Sequence, residues 1–162
     1  MQRRLAELAK ARLRELEQRQ GIHPTLTIVD GRQGAPEASV RPDGVVVYLI
    51  DVASSGARRV LEALRAIAPE DTGEFKRGFI TLVDGKEAPL DTAPAGASIT
   101  LLDRAPYSRR LEKGWSLQAP DGVFEVTAKA MRRRLPNLVV RFAYRFHAGR
   151  RTPAIIIESK VF

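Results

Sequence analysis

Apolar residues recur every three or four positions in one stretch of the chain: Val52, Gly56, Val60, Leu64 and Ile67, with Ala53, Ala57, Leu61 and Ala68 beside them. That spacing predicts a helix with one wide apolar stripe, leaving Arg58, Arg59, Glu62 and Arg65 on the other side. Asp51 or Ser54 is placed to cap its start. Pro69 stops it, because proline lacks an N–H and pushes Ala68 out of helical geometry. Residues 1–20 repeat the helical pattern more narrowly, with Leu5, Leu8, Ala9, Leu13 and Leu16 on one side and Gly21 at the end. So narrow a stripe fits a terminal helix lying on its own domain or an arm docked on a neighbouring subunit. A third helical register runs over residues 123–135 through Val123, Val126, Ala130 and Met131, closed by Pro136-Asn137. Residues 106–114 read as a short helical turn.

Elsewhere the period shifts to two or to β-branched runs. Residues 26–29 and 45–50 bracket a polar, Gly- and Pro-rich stretch and predict a hairpin with a long loop. Residues 79–83 and 98–102 predict a second pair, joined by a long connection over 84–96. In residues 138–146, Val140, Phe142, Tyr144 and Phe146 alternate with Arg141 and Arg145, and residues 154–161 return as the partner strand. No internal repeat stands out. The expected fold is α+β: antiparallel β-hairpins packed against two long helices, with residues 1–20 as an N-terminal helical arm and 21–162 as one domain.

Composition narrows the function classes. A chain of 162 residues with 44% hydrophobic and 28% charged residues is long enough to bury a core. No apolar run approaches the ~20 residues of a membrane span, and the charged first residues lack the pattern of a signal peptide. The absence of cysteine excludes disulfides, thiolate metal sites and cysteine nucleophiles, and fits a reducing compartment. The net charge of +8 is uneven: residues 21–103 hold eight Lys/Arg against twelve Asp/Glu, residues 104–162 thirteen against four. An acidic middle and a basic last third point to polyanions or acidic protein surfaces as partners.

Candidate chemistry is sparse. There is no phosphate-binding loop and no dinucleotide fingerprint. His23 and His147 have no acidic partners at metal-binding spacing, and Ser54-Ser55 lacks a nucleophile elbow. Glu70, Asp71 and Glu74 cluster, but carboxylates at a turn before a helix are accounted for by the local N–H groups. No catalytic residue, cofactor or metal is expected. Lys129, Arg132, Arg133 and Arg134 form the strongest polyanion or interface candidate, although cations at a helix C-terminus also complement its dipole.

Two motifs together identify a resemblance. Ala68-Pro69-x-x-Thr72-Gly73-x-Phe75-Lys76-x-Gly78-Phe79 ends the amphipathic helix, and Tyr107-Ser108-x-x-Leu111-Glu112-x-Gly114 follows about thirty residues later. Over residues 52–135 this order resembles the tail-component, or neck, family of long-tailed bacteriophages, related to the minor tail protein Z type. Phe75 stands where that family usually has leucine, Gly78 where it has serine, and Ser108 where alanine is common. The resemblance implies a structural virion protein at the head–tail junction, made in the host cytoplasm, not an enzyme. It implies a sixfold or twelvefold ring around the DNA path, meeting head-closure or adaptor proteins and tail-terminator proteins, with non-specific contact to packaged DNA. Physically, Thr72-Gly73 is expected to turn the chain. Phe75, Phe79, Tyr107 and Leu111 are expected to fill the core against Val60, Leu64 and Ile67. Glu112 is expected beside Arg109, Arg110 and Lys113 on an exposed element. The alternative from another class is a basic, non-catalytic nucleic-acid-binding module.

Overall fold

The computed structural model describes residues 2–20, 24–50, 52–70, 73–94 and 96–160. Gly21, His23, Asp51, Asp71 and Thr72, all singled out above, lie outside the described residues. The fold is α+β with antiparallel sheets and, among the described residues, five α-helices. The chain divides into two compact units, Met1–Asp51 and Val52–Phe162. The division thus falls after the first three strands rather than after the N-terminal helix.

The first unit holds α1 (Gln2–Gln20), β1 (Pro24–Val29), β2 (Arg32–Gln33) and β3 (Val46–Ile50), with strand order β2-β1-β3. Its small core is Ala6, Val29 and Val40, flanked by Leu5, Ala35 and Val46. Ala6 is the buried contact of α1 and Leu5 of the expected row packs beside it, whereas Leu8 and Leu16 are 60% and 40% exposed. The physical reason is crowding: a short residue lets the helix approach, and the row of leucines is left at the margin.

The second unit begins with α2 (Val52–Ile67) and the single-turn helix α3 (Glu74–Arg77). It continues through β4 (Phe79–Val83), β5 (Lys86–Glu87), β6 (Ile99–Asp103), α4 (Ser108–Glu112), α5 (Phe124–Arg134), β7 (Leu138–His147) and β8 (Arg150–Ser159). Its sheet runs β5-β4-β6-β8-β7, antiparallel throughout. Ala53, Gly56, Ala57, Val60 and Leu64 of α2 are buried, as the spacing predicts, while Ile67 is 40% exposed because the helix ends there. They join Phe124, Ala128 and Met131 of α5, and Ile99, Leu101, Val140, Ile155 and Ile157 of the sheet, in one continuous core.

The expectation of simple hairpins holds only in outline. β1 pairs with β3 and β4 with β6, but in each case a two-residue strand, β2 or β5, folds back first. The connections are built alike, and this corrects the reading that the chain has no internal repeat. Val29-Asp30-Gly31-Arg32 matches Val83-Asp84-Gly85-Lys86, then Ala35-Pro36 matches Ala88-Pro89, then Pro42-x-Gly44 matches Pro94-x-Gly96. Asp30 and Asp84 both have positive φ (48° and 49°), as do Gly31 and Gly85, the signature of a tight turn that needs two left-handed residues. Each aspartate bonds the residue just before the returning strand through both backbone and side chain: Asp30 and Asp84 N–H donate to Val45 O and Ser98 O, and their carboxylates accept from Val45 N–H and Ser98 N–H, that of Asp30 also from Arg41 N–H. A 3₁₀ turn follows each Ala-Pro, closed by Ser39 Oγ or Thr92 Oγ1 donating over 2.7 Å to the proline carbonyl. Small insertions shift the two copies by one residue at two places, which hides the match from a fixed-period scan.

Candidate functional site

The two motifs, distant in sequence, meet in the second unit. Ala68 and Pro69 are buried where α2 stops, and Gly73 (φ 68°) turns the chain into α3. Phe75 is 2% exposed and lies 5.2 Å from the Phe79 ring, 6.4 Å from Tyr107 and 6.3 Å from Phe124. Phe79 in turn sits edge-on to Phe124 at 6.1 Å, so four aromatics form one cluster. Tyr107 and Leu111 are half-buried against the same core.

Glu112 behaves differently from expectation. It is half-buried and turned to the start of α5, where its carboxylate accepts from Val123 (3.0 Å), Phe124 (2.8 Å) and Glu125 (2.8 Å) N–H. The residue before α5 is Val123, which offers no capping side chain. Glu112 therefore satisfies three otherwise free helix donors from another element and puts negative charge at the positive end of the dipole. Gly114 (φ 81°) completes the turn; a Cβ there would lie 2.2 Å from Pro120 O.

The acidic cluster is held by local partners. Glu70 pairs with Lys76, whose hydrogen bond holds the Glu70 carboxyl below its usual range. Glu74 accepts from the Tyr107 hydroxyl at 3.4 Å. Among the described residues, no three His, Cys, Asp or Glu side chains gather where a metal ion could be held.

The basic end of α5 is partly committed to structure. Arg132 Nε donates to Val140 O at 3.1 Å, and Lys129 pairs with Glu125 at 3.1 Å one helical turn back. Arg133 and Arg134 are exposed.

A denser cationic surface lies elsewhere; of its residues the sequence drew attention to His147 and Arg109, but for other reasons and not as one group. Arg104, Arg109, His147, Arg150 and Arg151 line one cleft of about 240 Å³. They come from the end of β6, from α4 and from the β7–β8 turn, so only the fold brings them together. Beneath the cleft Asp103 is 2% exposed; Oδ1 accepts from Ala105 N–H at 2.7 Å and Oδ2 has no hydrogen-bond partner. Burial pushes its carboxyl up to about 6.

A second, apolar groove of about 590 Å³ is lined by Pro69, Phe75, Tyr107, Leu111, Trp115 and Leu117, among others. Trp115 is 72% exposed and Leu117 fully so. No family model, curated protein or solved structure matches the chain.

Proposed function

We propose that the protein is a structural component of a bacteriophage neck, a head–tail connector or tail-completion protein that assembles as a ring around the DNA path. The observation that carries this reading is the convergence of the two family-like motifs. Phe75 of the first packs against Tyr107 of the second as well as against Phe79, and Glu112 of the second caps α5, whose Phe124 meets both phenylalanines. Every motif residue with a described side chain has a packing, turning or capping task, which is what a scaffold protein requires and what a catalytic motif does not. Exposed apolar groups beside these motifs, Trp115 and Leu117, supply the kind of surface a subunit contact uses.

A ring built from one kind of subunit needs two different, complementary patches on each copy, with rotation closing the chain of contacts. The uneven charge fits that demand: an acidic middle can guide a basic last third into register. Light scattering and electron microscopy of the purified protein, alone and with portal and tail-tube assemblies, test the reading. Closed rings, or a ring layer on one of those assemblies, are expected. A protein that stays monomeric and decorates neither assembly overturns it.

A further inference from the structure

The β7–β8 hairpin outruns the sheet it belongs to. β8 pairs with β6 from Ala154 to Ile157 only, whereas β7 and β8 stay paired with each other out to His147 and Arg150. Pro153, which has no N–H to donate, stands where pairing to β6 stops. Residues 144–147 and 150–153 therefore form a two-stranded ribbon with no third strand, roughly 13 Å long at strand rise, with Thr152 and Pro153 buried and β8 in contact with α4. Its end carries Arg145, His147, Arg150 and Arg151, with Phe146 80% exposed among them. Arg104 and Arg109 face its tip, on the same cleft as His147, Arg150 and Arg151.

Four guanidiniums around one cleft repel one another unless a counter-charge is present. Arg104 is paired with Glu87, and Arg151 stacks over the Tyr144 ring at 4.9 Å. Arg109, Arg150 and Arg151 have no carboxylate in ion-pair reach among the described residues, and Asp103 pairs with none of the four. Guanidinium is the side chain whose planar fork matches phosphate oxygens in pairs. A two-stranded ribbon is also one of the few protein shapes that follows a DNA groove with its strands between phosphate rows.

We infer that the tip of the β7–β8 ribbon and the cleft it lines bind the phosphodiester backbone of double-stranded DNA, with Arg109, Arg150 and Arg151 as the phosphate contacts and Arg104 joining them. The contact reads no sequence, since it is made to the backbone. It does not depend on a place in the virion neck and stands or falls separately from ring assembly.

Fluorescence anisotropy with a labelled duplex of mixed sequence, at stepped salt concentrations, tests the assignment on the full chain. Affinity should fall with salt along a straight log–log line. Arg109→Glu with Arg150→Glu should weaken binding at least tenfold and flatten the line by about two, at about 0.9 per phosphate contact. Both residues are exposed, so circular-dichroism melting should match the wild type. Arg133→Glu with Arg134→Glu makes the same change in net charge away from the cleft and should shift affinity less than threefold. Equal losses from the two pairs would mean net charge alone, and overturn the site. Competition by millimolar inorganic phosphate at constant ionic strength would assign the cleft to free phosphate instead. Binding to polyglutamate but not to the duplex would assign it to an acidic protein.

Discussion

Gly78 stands where any side chain would strike Asp103: a Cβ there would lie 2.7 Å from Oδ1 and 2.9 Å from Oδ2. The neck proposal compares this position with serine, and the buried carboxylate leaves no room for that side chain. Sequence could locate the departure but not its cause, because Asp103 lies twenty-five positions away along the chain. Gly78→Ala should cost about 1–3 kcal/mol through overpacking, and less when combined with Asp103→Ala. Asp103 also sets a pH dependence. Its carboxyl is raised from 3.8 to about 6 by burial, so between those values the folded chain holds a proton that the unfolded chain has lost. The contribution to stability therefore falls as pH rises through that window, by on the order of 2–3 kcal/mol in all. Asp103→Asn should remove this slope and leave the variant more stable than the wild type at pH 7.5. Urea midpoints of the two proteins from pH 4.5 to 7.5 check it; parallel curves would mean that Asp103 is not the titrating group.

At the scale of elements, periodicity located most of the helices and strands. α2, the β4–β6 pair and the β7–β8 hairpin follow from spacing, but the sheet is apolar on both sides: Ile80, Leu102 and Ala154 form a cluster apart from the main core, and Phe146, expected to share a face with Val140, is exposed. What spacing could not supply is contact between elements. The α5 start lacks a Ser, Thr, Asp or Asn cap, and that lack was the available signal that a distant acceptor was needed. Glu112→Ala strands three helix donors and should lower stability by about 1–3 kcal/mol, with Glu112→Gln intermediate because an amide oxygen still accepts. Hydrogen exchange should speed up at Val123, Phe124 and Glu125 before the rest of α5. Unchanged exchange there would refute the capping role. The repeated Asp-Gly, Ala-Pro and Pro-x-Gly pattern was also legible, but only to a comparison that permits single-residue insertions. The basic last third was legible but the arginine cleft was not, because its members come from three segments that only the fold brings together.

For the whole molecule, the neck reading demands a contact strong enough to close a ring. Surface charge sets encounter and register but contributes little affinity at physiological salt, so an apolar anchor must supply most of it. The exposed pair Trp115 and Leu117 is placed for that task, beside a groove whose lining includes one carboxylate, Glu74, and no cation. Arg110 lies over the Trp115 ring at 5.4 Å, which holds the indole on the surface rather than letting it fold into its own groove. On the neck proposal the groove's occupant is a neighbouring copy, whose basic last third would meet Glu74 in the groove lining. Trp115→Ala with Leu117→Ala removes side chains that the monomer scarcely buries, so thermal stability should move by under about 0.5 kcal/mol. Assembly should suffer far more, by at least tenfold in the concentration at which rings form, as expected of an aromatic hot spot. Arg133→Glu with Arg134→Glu should instead slow association and reduce its salt dependence, leaving the assembled ring's dissociation nearly unchanged. Arg132 is left out of that variant because its bond to Val140 O belongs to the monomer fold. Light scattering over protein and salt concentration separates the two effects. If the Trp115/Leu117 variant forms rings at the wild-type concentration, the anchor lies elsewhere and this face is not the subunit contact.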